Sequence, residues 1–229
     1  MNGPDPLDNP FWSALATRHW AVALRDGDVA RYPPEFAPFL GVASADADAA
    51  AALAKLVAPG ETVLLLGIAP AGLPSGWTLQ ALGDLAQMAC DAPLEVVPGP
   101  EIIELGQRHR DDVLALTALV YPHYFRARTM DLGRYFGIYR EGRLAAMIGE
   151  RLGTGADIEM SAICTHPDFN GLGYARRLTA WLTNQTLAQG RLPFLHVSPD
   201  NTRARLLYER MGFRLRRHIP FWSLQAPVL

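Results

Sequence analysis

The chain has 229 residues, enough for one large domain or two small ones, and 49% hydrophobic with 19% charged residues is the balance of a soluble protein with a sizeable core. A formal charge of -2 excludes the overall cationic bias that would mark a nucleic-acid binder or a protein held to acidic membrane. Cys90 and Cys164 are too few for a disulfide framework, and no basic start followed by a long apolar run marks a secretory signal or membrane span, so a reduced, cytoplasmic protein is expected.

The opening MNGPDPLDNP is turn-rich. FWSALATRHWAVAL predicts a helix with Phe11, Leu15 and Trp20 near one face, and DADAAAALAKLV a second that ends before Pro59-Gly60. A buried strand is expected from Thr62 to Ile68, because TVLLLGIAPAGL is broken by Pro70 and Gly72 and is too short to cross a bilayer as a helix. Ser75 can cap a further helix running to Cys90, and Leu94 to Val97 reads as a short strand. Pro98-Gly99-Pro100 then punctuates the chain where its charge changes. Residues 1–100 carry four basic and eleven acidic side chains, net -7, whereas residues 101–229 carry seventeen and twelve, net +5. A domain or subdomain boundary is placed there, and any anionic ligand falls to the second part.

Beyond the boundary, residues 101–106 predict a strand, and DDVLALTALVYPHYF a helix up to Pro122. A hairpin follows, Tyr135 to Tyr139 and Leu144 to Glu150, then a strand from Ile158 to Cys164 and a helix from Leu172 to Leu187. PFLHVSP supplies a strand, NTRARLLYERMG a short helix, and GFRLRRHI and FWSL two last strands. The order is that of an α/β protein built around a mixed sheet.

The segment HPDFNGLGYARRL, residues 166–178, sets glycines at the junction of strand and helix, where each weakens regular structure. A helix starting there presents unpaired N–H groups and the positive end of its dipole, and glycine removes the side chains that would hold a phosphate away. Gly171, Gly173 and the N–H groups of Leu172, Tyr174 and Ala175 can therefore cradle a pyrophosphate, with Arg176 beside them; equally, Gly-x-Gly can simply turn the chain. Neither the dinucleotide fingerprint nor a Walker loop fits, since residue 176 is Arg and no Gly-Lys-Ser/Thr follows. Downstream, Ala204, Leu207, Tyr208 and Met211 share a helix stripe that Asn201 can cap and Gly212 can end.

With these two motifs the chain resembles the GNAT acyltransferases, which transfer an acyl group from coenzyme A to an amine. Their pyrophosphate loop, Gln/Arg-x-x-Gly-x-Gly/Ala, falls on Asn170, Gly173 and Ala175, with Asn170 departing from the usual first residue. Asn201, Ala204, Leu207, Tyr208 and Gly212-Phe213 match the second motif. The resemblance covers residues 101–229 and implies a mixed central sheet flanked by helices. The HPDF-x-G-x-G-Y-A variety looks most like the glycine N-acyltransferase-like branch, in whose two-part members the N-terminal segment resembles a degenerate GNAT half. It further implies acetyl-CoA or another short acyl-CoA as co-substrate, bound also by the strand amides near Ile163 and Thr165 and by Asn201. Tyr208 is placed by resemblance to give a proton to the leaving thiolate, a role suited to a phenol protonated at neutral pH. The base is expected at Glu159, then at Asp157; as an ordinary strand residue Glu159 would be a solvent-facing carboxylate. His166 is expected to bond locally, His123, Tyr124, Phe125 and Arg128 to border the acceptor, with Arg128 pairing to a substrate carboxylate or else serving as a surface arginine beside plain helix packing, and no Cys/His group has metal-ligand spacing. The acceptor is expected to be a small-molecule amine or amino acid, with a peptide, or an acyl-CoA sensor without catalysis, as alternatives; neither nucleic acid nor membrane is an expected partner, and a homodimer is left open.

Overall fold

A computed structural model of the chain describes residues 5–122 and 124–228; the candidate His123 lies outside them. Helix α1 (Pro10–Ala16) begins with proline, whose missing N–H is not needed there. It stops well short of the predicted Leu24. Thr17 leaves helical geometry, and the turn that follows sends His19 inward, where its ring bonds the Tyr32 hydroxyl at 2.7 Å and the Leu132 carbonyl at 2.9 Å. Strands β1 (Leu24–Asp26), β2 (Val29–Arg31) and β3 (Leu40–Val42) make a small antiparallel sheet, followed by α2 (Ala50–Leu56).

The rest builds one large sheet. Its strands are β4 (Thr62–Leu66), β5 (Thr78–Ala89), β6 (Ile103–Leu105), β7 (Tyr135–Arg140), β8 (Arg143–Gly153), β9 (Asp157–Thr165), β10 (Leu192–Val197) and β11 (Arg214–Gln225). They lie in the order β4-β11-β5-β10-β9-β8-β7-β6, and the β9–β10 pair is parallel while the other neighbours are antiparallel. Between strands run α3 (Arg110–Val120), α4 (Tyr174–Ala188) and α5 (Thr202–Met211). On one face Leu178, Leu182 and Tyr208 pack over Phe136, Ile148 and Met160; on the other, Phe11, Leu15 and Phe39 pack with Leu66, Leu152 and Phe221. Among the described residues no helix is long and apolar enough to cross a membrane.

Three further elements differ from expectation. Residues 78–89 form a strand and not a helix, because β10 and β11 pair with them on both sides and this long-range ladder overrides the local propensity of Leu, Ala and Gln. Residues 94–97 are not a strand; the N–H and C=O of Leu94 are instead both taken by the Asn184 side chain, at 2.8 Å each. The last two strands are one, and Pro220 is accommodated next to a bulge where Phe221 faces Gly83 and Trp222 faces Ala81. Strands from both sides of Pro98-Gly99-Pro100 thus lie in the same sheet. Arg177 of α4 ties that crossing segment down by donating to the carbonyls of Val97 and Pro100.

Candidate active site

Strands β9 and β10 are paired only from Asp157 to Glu159 against Leu192 to Phe194. Beyond that point Leu195, His196 and Val197 stay with Met88, Gln87 and Ala86 of β5, so β9 continues from Met160 to Thr165 without its parallel neighbour. A wedge opens between the two strands. Within it β9 carries an extra residue, since Met147 faces Cys164 while Gly149 faces Ser161, and Ala162 takes a left-handed conformation with φ of 50°. Such a bulge turns backbone amides out of the ladder, and here it lies beside Ile163.

At the open end, Gly171 and Gly173 have φ of 81° and 78° with no atom within 4 Å of where a Cβ would stand. Glycine is required at both for backbone conformation, and the space is left free. Gly173 is the N-cap of α4 and supplies no side chain, so the first N–H groups of a fifteen-residue helix, from Tyr174, Ala175 and Arg176, meet open surface. Asn170 and Leu172 are exposed beside them. A cavity of about 960 Å³ joins this loop to Ile163, Thr165, Asn201 and Tyr208, with Arg176, Arg203 and Arg210 at its edge. His166 bonds locally, its Nδ1 accepting from the Asp168 N–H at 3.2 Å.

Tyr208 projects from α5, which Asn201 caps by accepting from the Ala204 N–H at 3.1 Å and Gly212 ends at φ of 110°. Its ring is buried and its hydroxyl has no hydrogen-bond partner among the described residues. Burial raises its pKa above the ordinary tyrosine value, so the phenol holds its proton. Tyr208, Asn201, Ile163 and Ala204 also line a second cavity, of about 440 Å³, on the far side of the wedge.

In that second cavity stands a group of side chains that the sequence does not reveal as one. Glu159 is 1% exposed, not solvent-facing, and its carboxylate accepts two bonds of 2.8 Å from Arg151 and one of 2.7 Å from His196 Nδ1. Burial would raise its pKa, but the charge and hydrogen bonds of Arg151 and His196 win and lower it to about 2. The Gln87 amide donates to the Leu7 carbonyl at 2.9 Å and meets His196 Nε2 at 3.0 Å, while its oxygen accepts from Arg216 at 2.8 Å. The antiparallel register that sets Glu150 opposite Met160 brings Arg151 beside Glu159, and Gln87 was hidden by the helical reading of its segment. Asp157 is occupied elsewhere, accepting from the Thr154 N–H and hydroxyl at 3.1 and 2.7 Å. Tyr124 lines the second cavity, Phe125 packs edge-on to Tyr135, and Arg128 is bound to Asp131 at the surface.

An open wedge, a bulged strand and an uncapped glycine junction thus lie together along β9 and the start of α4. The family described as FR47-like protein matches residues 135–222. A solved structure from Novosphingobium aromaticivorans, assigned to the GNAT family of acetyltransferases, is 31% identical with a TM-score of 0.86 over 98% of this chain and 100% of its own. A GCN5-related N-acetyltransferase from Kribbella flavida matches 94% of this chain and 91% of its own with a TM-score of 0.59 at 15% identity, a likeness of fold. No functionally curated protein is significantly similar. The chain belongs to the GNAT family of acetyltransferases.

Proposed function

We propose that the protein transfers an acetyl or other short acyl group from coenzyme A to a primary amine of a small molecule. The observation that carries this reading is one continuous path: the uncapped N-terminus of α4 at Gly171 to Gly173, the wedge beside the Ala162 bulge, and the Tyr208 phenol between two cavities. Pyrophosphate would meet the N–H groups of Leu172, Gly173, Tyr174 and Ala175, with Arg176 near and Asn170 beside the loop. The pantetheine arm would follow β9 past Thr165 and Ile163, near Asn201, so that the thioester carbonyl meets the amides released by the bulge.

In the reaction the neutral amine attacks the carbonyl carbon, the C–N bond forms and the C–S bond breaks. The departing sulfur takes the proton of Tyr208, and the proton given up by the nitrogen restores the phenol through solvent. As base, Glu159 is weakened by its partners, since a carboxylate with a pKa of about 2 accepts protons poorly at neutral pH. Its part in this reading is to hold Arg151 and His196 in the wall beside the amine. The loop variety and the added N-terminal segment also favour the glycine N-acyltransferase-like branch within the family, a likeness of chain organisation that does not carry glycine over as the acceptor. Release of free thiol from acetyl-CoA across a panel of amines tests the reading, together with calorimetric titration of coenzyme A; no binding at millimolar concentration would reject it.

A further inference from the structure

The second cavity has a wall chemistry that narrows the acceptor. Its volume, about 440 Å³, is in the range of small-molecule sites, roughly 300–1,000 Å³. Aromatic side chains line one side as a connected series: Tyr124 lies 6.3 Å from Phe39, 6.1 Å from Phe221 and 5.7 Å from Tyr121 between ring centroids. Leu82 and Leu85 of β5 line it from elsewhere in the N-terminal segment.

Leu82 is the residue that stands out. It is 46% exposed, and it is the bulged residue of β5, left unpaired where the register jumps from Phe221–Gly83 to Trp222–Ala81; Gly83 beside it has φ of 100°. A bulge re-aims a side chain, and this one sets a large aliphatic group on a cavity wall, incompletely covered by the protein itself.

Charge supplies the second constraint. Arg151 and Glu159 are the charged residues among the described residues lining this cavity, and they neutralise each other in a bidentate pair, with the Arg151 guanidinium also 4.9 Å over the Phe39 ring. His196 is held between Glu159 and Gln87, with both of its ring nitrogens already engaged. A carboxylate brought here would be desolvated against aromatic walls with only an already paired arginine to meet it, and a second ammonium would find no spare anion.

Resting on the acyltransferase reading, we propose that the acceptor is a monoamine with an aromatic or bulky aliphatic body and no carboxylate, its apolar part held between the Phe39–Tyr124–Phe221 side and Leu82 and Leu85. Free amino acids and polyamines are excluded by the same wall.

The test compares 2-phenylethylamine with phenylalanine, which adds only the carboxylate, and with glycine and spermidine, at fixed acetyl-CoA and with thiol release as readout. The expected result is a kcat/KM for 2-phenylethylamine at least about a hundred-fold above that for phenylalanine. Leu82→Arg, at a half-exposed position, is expected to raise the KM for 2-phenylethylamine about ten-fold while leaving coenzyme A affinity unchanged by calorimetry. Phenylalanine, glycine or spermidine used as well as 2-phenylethylamine would overturn the proposal, as would an unaltered KM in the variant. So would a variant that shifts acyl-chain preference in place of amine KM, because the cavity would then hold the acyl group. If coenzyme A binds but 2-phenylethylamine is not acetylated, the acceptor class fails alone; if coenzyme A does not bind, the acyltransferase reading fails with it.

Discussion

Glu159 Oε1 and His196 Nδ1 lie 2.7 Å apart across the place where β9 and β10 separate. The last paired residues are Glu159 and Phe194, so this contact closes the apex of the wedge with side chains just where the backbone ladder ends. With Arg151 on its other side, the buried Glu159 carboxylate is the centre of a polar group whose two partners are largely buried themselves. Removing one partner should leave uncompensated charge, and Arg151→Met is expected to cost about 3–5 kcal/mol, read by denaturant unfolding.

The same carboxylate sets a pH dependence. Its pKa is lowered from 4.5 to about 2 in the fold, chiefly by Arg151 acting against burial. A depressed carboxylate contributes stability that is fully present above its unfolded pKa and is lost as pH falls through the folded value. The stability difference between wild type and Glu159→Gln should therefore be full at pH 7 and shrink between pH 4.5 and about 2. Thermal melts across that window check it; a difference independent of pH would show that charge is not the cause.

Tyr208→Phe removes only a hydroxyl. If the phenol protonates the leaving sulfur, kcat and kcat/KM should fall together by roughly 10²–10⁴-fold while coenzyme A affinity stays nearly constant. Because burial raises the Tyr208 pKa, no alkaline loss of activity through this group is expected below the ordinary tyrosine range. Near wild-type turnover in the variant would leave the side chain a packing role.

Gly173→Val combines two effects. A β-branched side chain at φ of 78° costs about 1–2 kcal/mol, and it fills the space in front of the α4 N–H groups. Coenzyme A binding should disappear from calorimetry while the melting temperature falls by only about 2–8 °C. Retained binding would move the phosphate site elsewhere.

Gln87→Leu probes the link between β5 and the wedge. It strips partners from the Leu7 carbonyl and His196 Nε2 together, while Arg216 keeps Asp5 and Asp8, and each buried group left alone costs about 1–3 kcal/mol. A clear loss of stability is expected by denaturant unfolding, and a neutral outcome would mean that water replaces the amide.

The part of the fold legible in the sequence is the part fixed by local signals. The hairpin around Glu141-Gly142, the cap at Asn201 and the left-handed stop at Gly212 are set by neighbouring residues, and the strand–glycine–helix junction carries its own chemistry at Gly171 and Gly173. Residues 78–89 were not legible, because their strand conformation comes from partners near the other end of the chain. For the same reason Glu159 looked like a surface carboxylate: the residues that bury it, Arg151 and His196, belong to two other strands, and Gln87 completes the group from a third.

The insertion of β5 also sets an order on how the molecule can be made. On the ribosome, Met88 emerges long before Leu195 and Leu215, the residues it will face on either side. Until both arrive, a twelve-residue strand has two open edges, and neither half of the sheet can close around the wedge. Closing such distant pairs is slow because the chain entropy must be lost before the contacts form. The nascent first half is thus the stage most exposed to self-association, and β5 is flanked on both sides only after β11 has been synthesised.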